Sequence, residues 1–375
     1  MITTPIPGTM QAVHLLGHGG FDQLVVRNDV SVPTPAAGEV LIEVSACGMN
    51  NTDIWVREGA YGTPDDADAI SSWRPEAAGG DETLTFPRIQ GADTAGVIAA
   101  VGDGVSQDRV GERVMVDFSI YNGDGISLAN IDYIGHGRDG GYAEYVCVPH
   151  DHAWEVTAPI SDAEAATFCC AYLTGEHMLD RAAVTAGERV LITGASGGVG
   201  SGLIQLCRAR GAIPYAVTSP GKEDALIRLG AEAVVTREAG NLPEAVATAT
   251  GGASIDVAAD LVAGPLFNDL IRILRVEGRY VAAGAIGGAV VELDVRRLYL
   301  KHLQLHGSSQ GTRAAFRRLH GYIESGVVKP VLDRTYRLSD IHRAQTDFMA
   351  KKYIGKLVMV PDRKWDETGA PHAGD

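Results

Sequence analysis

The 375-residue sequence is short of positive charge, with 32 Lys and Arg against 47 Asp and Glu and a formal net charge of −15. So acidic a chain does not gather nucleic acid or anionic membrane through its overall field. It also lacks any run of the ~18 apolar residues that a membrane-crossing helix needs. Its first residues, MITTPIPGTMQ, hold neither a basic stretch nor a long apolar core, so no export signal is expected. Only five cysteines occur: Cys47, Cys147, Cys169, Cys170 and Cys207. In so long a chain they do not make a disulfide framework, and a reducing cytoplasm is the expected setting. Residues 117–145 hold no cysteine at all.

What is present suits a soluble globular protein. Apolar residues make up 45% of the chain, which at this length allows two domains with ample cores. Roughly the first 160 residues read as β-rich. EVLIEVSACGMN, TAGVIAAVGDGV, GERVMVDF and GYAEYVCVP are short strands set off by Gly and Asp turns. The segment from Ser161, SDAEAATFCCAYLTGEHMLDRAAV, reads as a helix with Ser161 as N-cap. Strand and helix signals then alternate through RVLITGA, GVGSGLIQLCRARG, IPYAVTS, KEDALIRLG, AEAVVT, IDVAAD, LFNDLIRILRVEG and RYVAAGA. Such alternation predicts a parallel sheet covered by helices, an α/β fold. Residues 62–85 are acidic and loop-like, with one tryptophan, Trp73. They are either a solvated insertion or a flap over a pocket. The residues after GKLVMV form a polar tail.

Within VLITGASGGVGSGLIQL a strand meets a Gly-rich turn and then a helix. Ala195, Ser196, Gly197, Gly198, Val199 and Gly200 form the window, with Ala in place of the first glycine of G-x-G-x-x-G. The glycines let the backbone approach a pyrophosphate at the helix N-terminus, so a dinucleotide is expected here. An NAD site usually carries Asp or Glu about twenty residues further on. Here Thr218, Ser219 and Lys222 stand in that region, and the first acid is Glu223. Hydroxyls and an ammonium suit a 2′-phosphate, so the expected cofactor is NADPH.

Together the segments GEVLIEVSACGMNNTD, FPRIQGADTAGVIAAVGDGV, VGERV, GGYAEYV, VLITGASGGVG and YIGKLVMV resemble the medium-chain dehydrogenase/reductase superfamily over nearly the whole chain. The resemblance implies a Rossmann doubly wound parallel sheet plus a GroES-like β-barrel catalytic domain. The expected division is a catalytic domain at 1–160, completed by 308–361, a Rossmann domain at 161–307, and a tail at 362–375. It also implies an active site in the cleft between the domains. VVELDVRRLYLKHLQLHGSS follows the last Rossmann strand and could pair across a two-fold axis, so a homodimer is expected.

Zinc-dependent members of that superfamily carry G-x-C-x-x-D and G-H-E. Setting Asp53 on the aspartate puts Asn50 at the ligand cysteine, Gly91-Ala92-Asp93 stands for G-H-E, and Cys170 falls at the third ligand. One ligand of three remains where catalytic zinc needs about three, so no metal is expected. An unfamiliar convergence of Cys47, Asp93 and Cys170 is the alternative. Cys147 and Cys207 read as small buried residues, and His136, His150 and His152 as exposed loop histidines. The span from Gly48 resembles the zinc-free quinone oxidoreductase branch, with Asn50, Asp53, Arg57, Gly59 and Tyr61 at the matching spacing; the long insertion after Tyr61 departs from it.

Without a Lewis acid, an activated double bond or a quinone is the easier hydride acceptor, and the enolate oxygen needs hydrogen-bond donors. Asn50 and Tyr61 can donate, and Tyr61 can also protonate the α-carbon. Asp53 reads as structural support for the turn or for Arg57. The resemblance places Thr174 beside the nicotinamide, and Gly284 and Ser308 at the same end of the cofactor. The chain is thus expected to be a zinc-independent, NADPH-dependent reductase of a quinone or α,β-unsaturated carbonyl. Alternatives are an alcohol dehydrogenase with an atypical zinc site and a non-catalytic NADPH-binding protein.

Overall fold

A computed structural model describes residues 5–61, 84–121, 131–238 and 240–365. The proposed flap with Trp73, all but its last two residues, and most of the polar tail lie outside these residues. Contacts divide the chain into two units. One comprises residues 1–170, 332–352 and 356–375, the other residues 171–331 and 353–355. The segment 308–331, expected with the catalytic domain, groups with the other unit.

The first unit is built on the strand Glu39–Gly48. Its residues Val40, Ile42 and Val44 alternate into a core with Ile98, Val114, Val116, Ile134, Val146 and Val148. This alternation is the two-residue period that buries one face of a strand. On one side the strand pairs antiparallel with Asp93–Val101. On the other it pairs with Tyr145–Pro149 and, near its end, with Lys356–Val360. These strands belong to a seven-stranded sheet, beside a three-stranded sheet of Thr9–Leu15, Leu24–Ser31 and Arg88–Ile89.

The second unit holds six parallel strands in the spatial order Ala233–Thr236, Ile213–Thr218, Arg189–Ile192, Ile255–Asp260, Leu274–Ala282, Gln304–Gly307. In chain order this is 3-2-1-4-5-6, the doubly wound Rossmann arrangement, with its switch between Arg189–Ile192 and Ile255–Asp260. Val190, Leu191 and Ile192 are all fully buried, as a strand covered on both faces requires. The helical segment expected from Ser161 divides into Asp162–Ala165 and Cys169–Arg181. Ser161 caps the first, its Oγ accepting from the Glu164 amide. The helix Phe267–Ile273 ends sooner than the sequence suggests, because the next strand begins at Leu274. Among the described residues no helix is long and apolar enough to cross a membrane.

Candidate functional site

Strand register assembles the polar cluster of the first unit. Gly48 stands opposite Asp93 on one neighbouring strand and opposite Val358 on the other. Both neighbours run antiparallel to it, so Asn50, two residues past Gly48, meets Lys356, two residues before Val358. The tight approach of these segments needs Gly91 (φ +101°), where an added Cβ would lie 2.7 Å from both the Cys47 sulfur and the Tyr142 ring.

Asn50 is the extended N-cap of the helix Asn51–Glu58, and its backbone amide donates to Asp53 Oδ2 at 2.8 Å. The same oxygen accepts Tyr142 OH at 2.7 Å. Burial raises the Asp53 carboxyl to about 6, while the Tyr142 hydroxyl and the Asn50 amide pull it down. Asp53 therefore fixes the turn through internal bonds. Arg57 does not pair with it; its guanidinium bonds Gln345 and the Gly19 carbonyl.

The Asn50 side chain is held at both ends. Its Oδ1 accepts from Lys356 Nζ at 2.7 Å, and its Nδ2 donates to Asp93 Oδ2 at 3.0 Å and reaches the Gly48 carbonyl at 3.4 Å. An ammonium only donates, so it dictates which end of the amide faces it. Lys356 Nζ also donates to Asp93 Oδ2 at 2.6 Å and to the Met49 carbonyl at 2.6 Å. Lys356 is 2% exposed and Asp93 is fully buried. The other Asp93 oxygen accepts the backbone N–H of Cys170 in the first turn of Cys169–Arg181. A helix start offers unpaired amides and partial positive charge to a carboxylate. Sequence reasoning treated Lys356 only as part of a closing motif and missed this role.

These residues do not fit a catalytic zinc. Ala92 offers no donor, and the oxygens of Asn50 and Asp93 already face a buried cation. Cys47 lies on the strand Glu39–Gly48 with its sulfur 3.9 Å from Thr94 Oγ1. Among the described residues no three His, Cys, Asp or Glu side chains form a metal cluster.

Tyr61 packs edge-on to Trp55 at 5.5 Å. Burial raises its phenol to about 12, and a hydrogen bond with Thr52 opposes the shift. Thr52 Oγ1 lies 3.1 Å from Tyr133 OH, so three hydroxyls follow one another. Tyr133 stacks on His136 at 4.9 Å, and burial lowers that imidazole to about 4, helped by the Arg88 and His18 charges. His136 and His152 are buried, and only His150 is exposed as the loop reading expected. Cys207 is buried and Cys147 half-buried.

In the second unit the residues expected to hold the cofactor gather at the carboxyl ends of the strands, where α/β sheets bind ligands. The turn of Ala195, Ser196 and Gly197 opens the helix Gly198–Ala209, whose N-cap, Gly197, offers no side-chain acceptor to the first amides. A Cβ on Gly200 would lie 2.4 Å from the Gly194 carbonyl and 2.5 Å from Ala195 Cα, so this close packing requires glycine. Val199 is half-buried on the same turn. Thr218 ends its strand 4% exposed, and its hydroxyl has no partner among the described residues. Ser219 follows, half-buried. Lys222 Nζ donates to the Tyr353 carbonyl at 2.7 Å and lies 3.3 Å from Ser196 Oγ, which brings a cation to the turn. An orphaned hydroxyl, an ammonium and an uncapped helix start fit a nicotinamide dinucleotide.

Thr174 is buried on Cys169–Arg181. Gly284 and Ser308 follow the paired strands Leu274–Ala282 and Gln304–Gly307. Ser308 donates its N–H to the Ala282 carbonyl at 2.9 Å, and its Oγ lies 3.3 Å from His177 Nδ1. Asp260, not singled out from the sequence, shapes the neighbouring strand end. It accepts Thr193 Oγ1 at 2.5 Å, Tyr280 OH at 2.7 Å and the amides of Val262 and Ala263.

Two family sequence models match. One described as an alcohol dehydrogenase GroES-like domain covers residues 36–158, and one described as a zinc-binding dehydrogenase covers residues 198–325. A crystal structure from Sinorhizobium meliloti 1021, provisionally described as an alcohol dehydrogenase, is 66% identical, covers 95% of this chain and 98% of its own, and superposes with a TM-score of 0.91. The quinone oxidoreductase of Rattus norvegicus is 28% identical over 361 residues, 94% of this chain and 98% of its own. The 2-octenoyl-CoA carboxylase reductase CinF, solved with NADP and 2-octenoyl-CoA, is 26% identical with a TM-score of 0.84, covering 95% of this chain and 88% of its own.

Proposed function

Because the chain belongs to the medium-chain dehydrogenase/reductase superfamily, an oxidoreductase family, we propose that it is an NADPH-dependent reductase of quinones or α,β-unsaturated carbonyls that needs no catalytic metal. The observation that carries this reading is the Lys356 ammonium seated against Asn50 and Asp93, around the alignment positions where related enzymes keep zinc ligands. The likenesses to a quinone oxidoreductase and to a reductase of an unsaturated thioester support the same acceptor class.

The Ala195–Gly200 backbone and the start of Gly198–Ala209 would hold the pyrophosphate, with Thr218, Ser219 and Lys222 on the 2′-phosphate. Thr174, Gly284 and Ser308 would line the nicotinamide end. A dihydronicotinamide held there would supply the hydride, which suits the β-carbon of an enone or a quinone carbon as acceptor.

The protein must then stabilise the charge that arrives at the carbonyl oxygen. The Asn50 Nδ2 hydrogen aimed at Gly48 makes the longest of the amide's bonds, 3.4 Å, and is the one free to turn to that oxygen. Its donor strength is raised because Lys356 draws on the far end of the amide. Such a donor is worth a factor of ~10²–10³ in rate. Tyr61, raised to about 12, keeps its proton at neutral pH and can deliver it to the α-carbon.

The test is NADPH oxidation with a panel of quinones and enones, before and after exhaustive chelation. Turnover that persists supports the reading, and its absence across the panel removes it. Alcohol oxidation is a second reading, favoured by the description of the Sinorhizobium relative. It predicts zinc-dependent reduction of NAD(P)⁺ by an alcohol.

A further inference from the structure

We infer that Lys356 is the resident cation of this site: its ammonium fills a cage of three oxygens and so keeps a divalent ion out. The cage is made of the Met49 carbonyl, Asn50 Oδ1 and Asp93 Oδ2, at 2.6, 2.7 and 2.6 Å from Nζ. An ammonium has three hydrogens, and each meets one oxygen. Backbone carbonyl, amide carbonyl and carboxylate are also the donors that hard divalent ions take. The second Asp93 oxygen is committed to the Cys170 amide, so the cage stays an all-oxygen one. Lys356 is 2% exposed, which leaves its charge little water and ties it to these partners. The strand Lys356–Val360 delivers it there by register, 263 residues along the chain from Asp93. A zinc-binding family description thus meets a chain that carries its positive charge covalently.

Metal uptake tests this without reference to turnover. Wild type, Lys356→Ala and Lys356→Ala with Asp93→Asn are each incubated with MnCl₂, desalted, and analysed for manganese. The expected result is ~0 equivalents in wild type, about one in Lys356→Ala, and ~0 in the double variant. Stoichiometric manganese in wild type overturns the inference. So does a folded Lys356→Ala protein that takes up none, or one whose uptake survives Asp93→Asn. Should Lys356→Ala not fold, Lys356→Ser, which also empties the cage of its ammonium, takes its place in the same uptake assay. It is expected to hold about one equivalent of manganese, and a folded Lys356→Ser protein that takes up none overturns the inference. The inference deepens the proposed metal-free reading, but no arm of this test rests on reductase activity. If wild type reduces nothing in the panel, that activity is refuted and the manganese result still decides the role of Lys356.

Discussion

Lys356 Nζ lies 2.6 Å from Asp93 Oδ2, with the two side chains 3% and 0% exposed. A pair so buried owes its persistence to the cost of stranding either partner rather than to a large net attraction. Lys356→Met should therefore destabilise the protein by about 3–5 kcal/mol. Adding Asp93→Asn should recover part of that loss, because it removes the stranded charge. Urea unfolding of the single and double variants measures both effects, and additive losses would contradict the coupling.

Lys222 offers the cofactor test. Its ammonium lies 3.3 Å from Ser196 Oγ in the Gly-rich turn. Lys222→Ala should cut kcat/KM with NADPH by about 10- to 100-fold, the loss of one charge-assisted phosphate contact. NADH kinetics should change by less than about threefold. Equal losses with both cofactors would assign Lys222 to the fold rather than to the 2′-phosphate.

Gly200→Ala places a methyl 2.4 Å from the Gly194 carbonyl, which is backbone and cannot swing away. The turn must open. Dinucleotide affinity, read by quenching of protein fluorescence, should fall at least about tenfold, and stability should drop by about 1–3 kcal/mol. Wild-type affinity in this variant would show that the turn does not contact the phosphates.

Two buried groups should oppose each other in pH dependence. Asp53, raised to about 6, binds its proton more tightly folded than unfolded. Its contribution is present below about 4 and lost as pH rises through about 6. His136, lowered to about 4, contributes above about 6.5 and loses that contribution as pH falls through about 4. Each shift of about two units is worth about 3 kcal/mol. Relative to wild type, Asp53→Asn should gain stability from pH 4 to 6, and His136→Phe should lose it over the same window. Denaturant midpoints across that range report both signs, and a flat difference curve would contradict the burial of that group.

The doubly wound sheet was legible because parallel strands covered on both faces read as apolar runs such as Val190 to Ile192, separated by helical periods. The turn from Ala195 to Gly200 was legible because its backbone demands glycine locally. The helix opening at Asn50 was not read from the sequence, although Asn with Asp three residues on is a local cap signal. The role of Lys356 was not legible. Its partners Asn50 and Asp93 lie 306 and 263 residues away, and only register across three strands joins them. Likewise nothing local to IDYIGHGRDGG shows that His136 stacks on Tyr133 inside the first unit. Histidines beside glycines read as loop residues until tertiary contacts are known.

If the Lys356 side chain supplies the positive charge of this site in place of a bound metal, activity must be independent of metal content. The most direct measurement sets kcat for NADPH-dependent enone or quinone reduction against the metal content of the same preparation, through successive chelation and zinc reloading. Full kcat is expected at below about 0.1 metal equivalents, with no gain on reloading. A kcat that falls and recovers in proportion to bound zinc would contradict that role of Lys356.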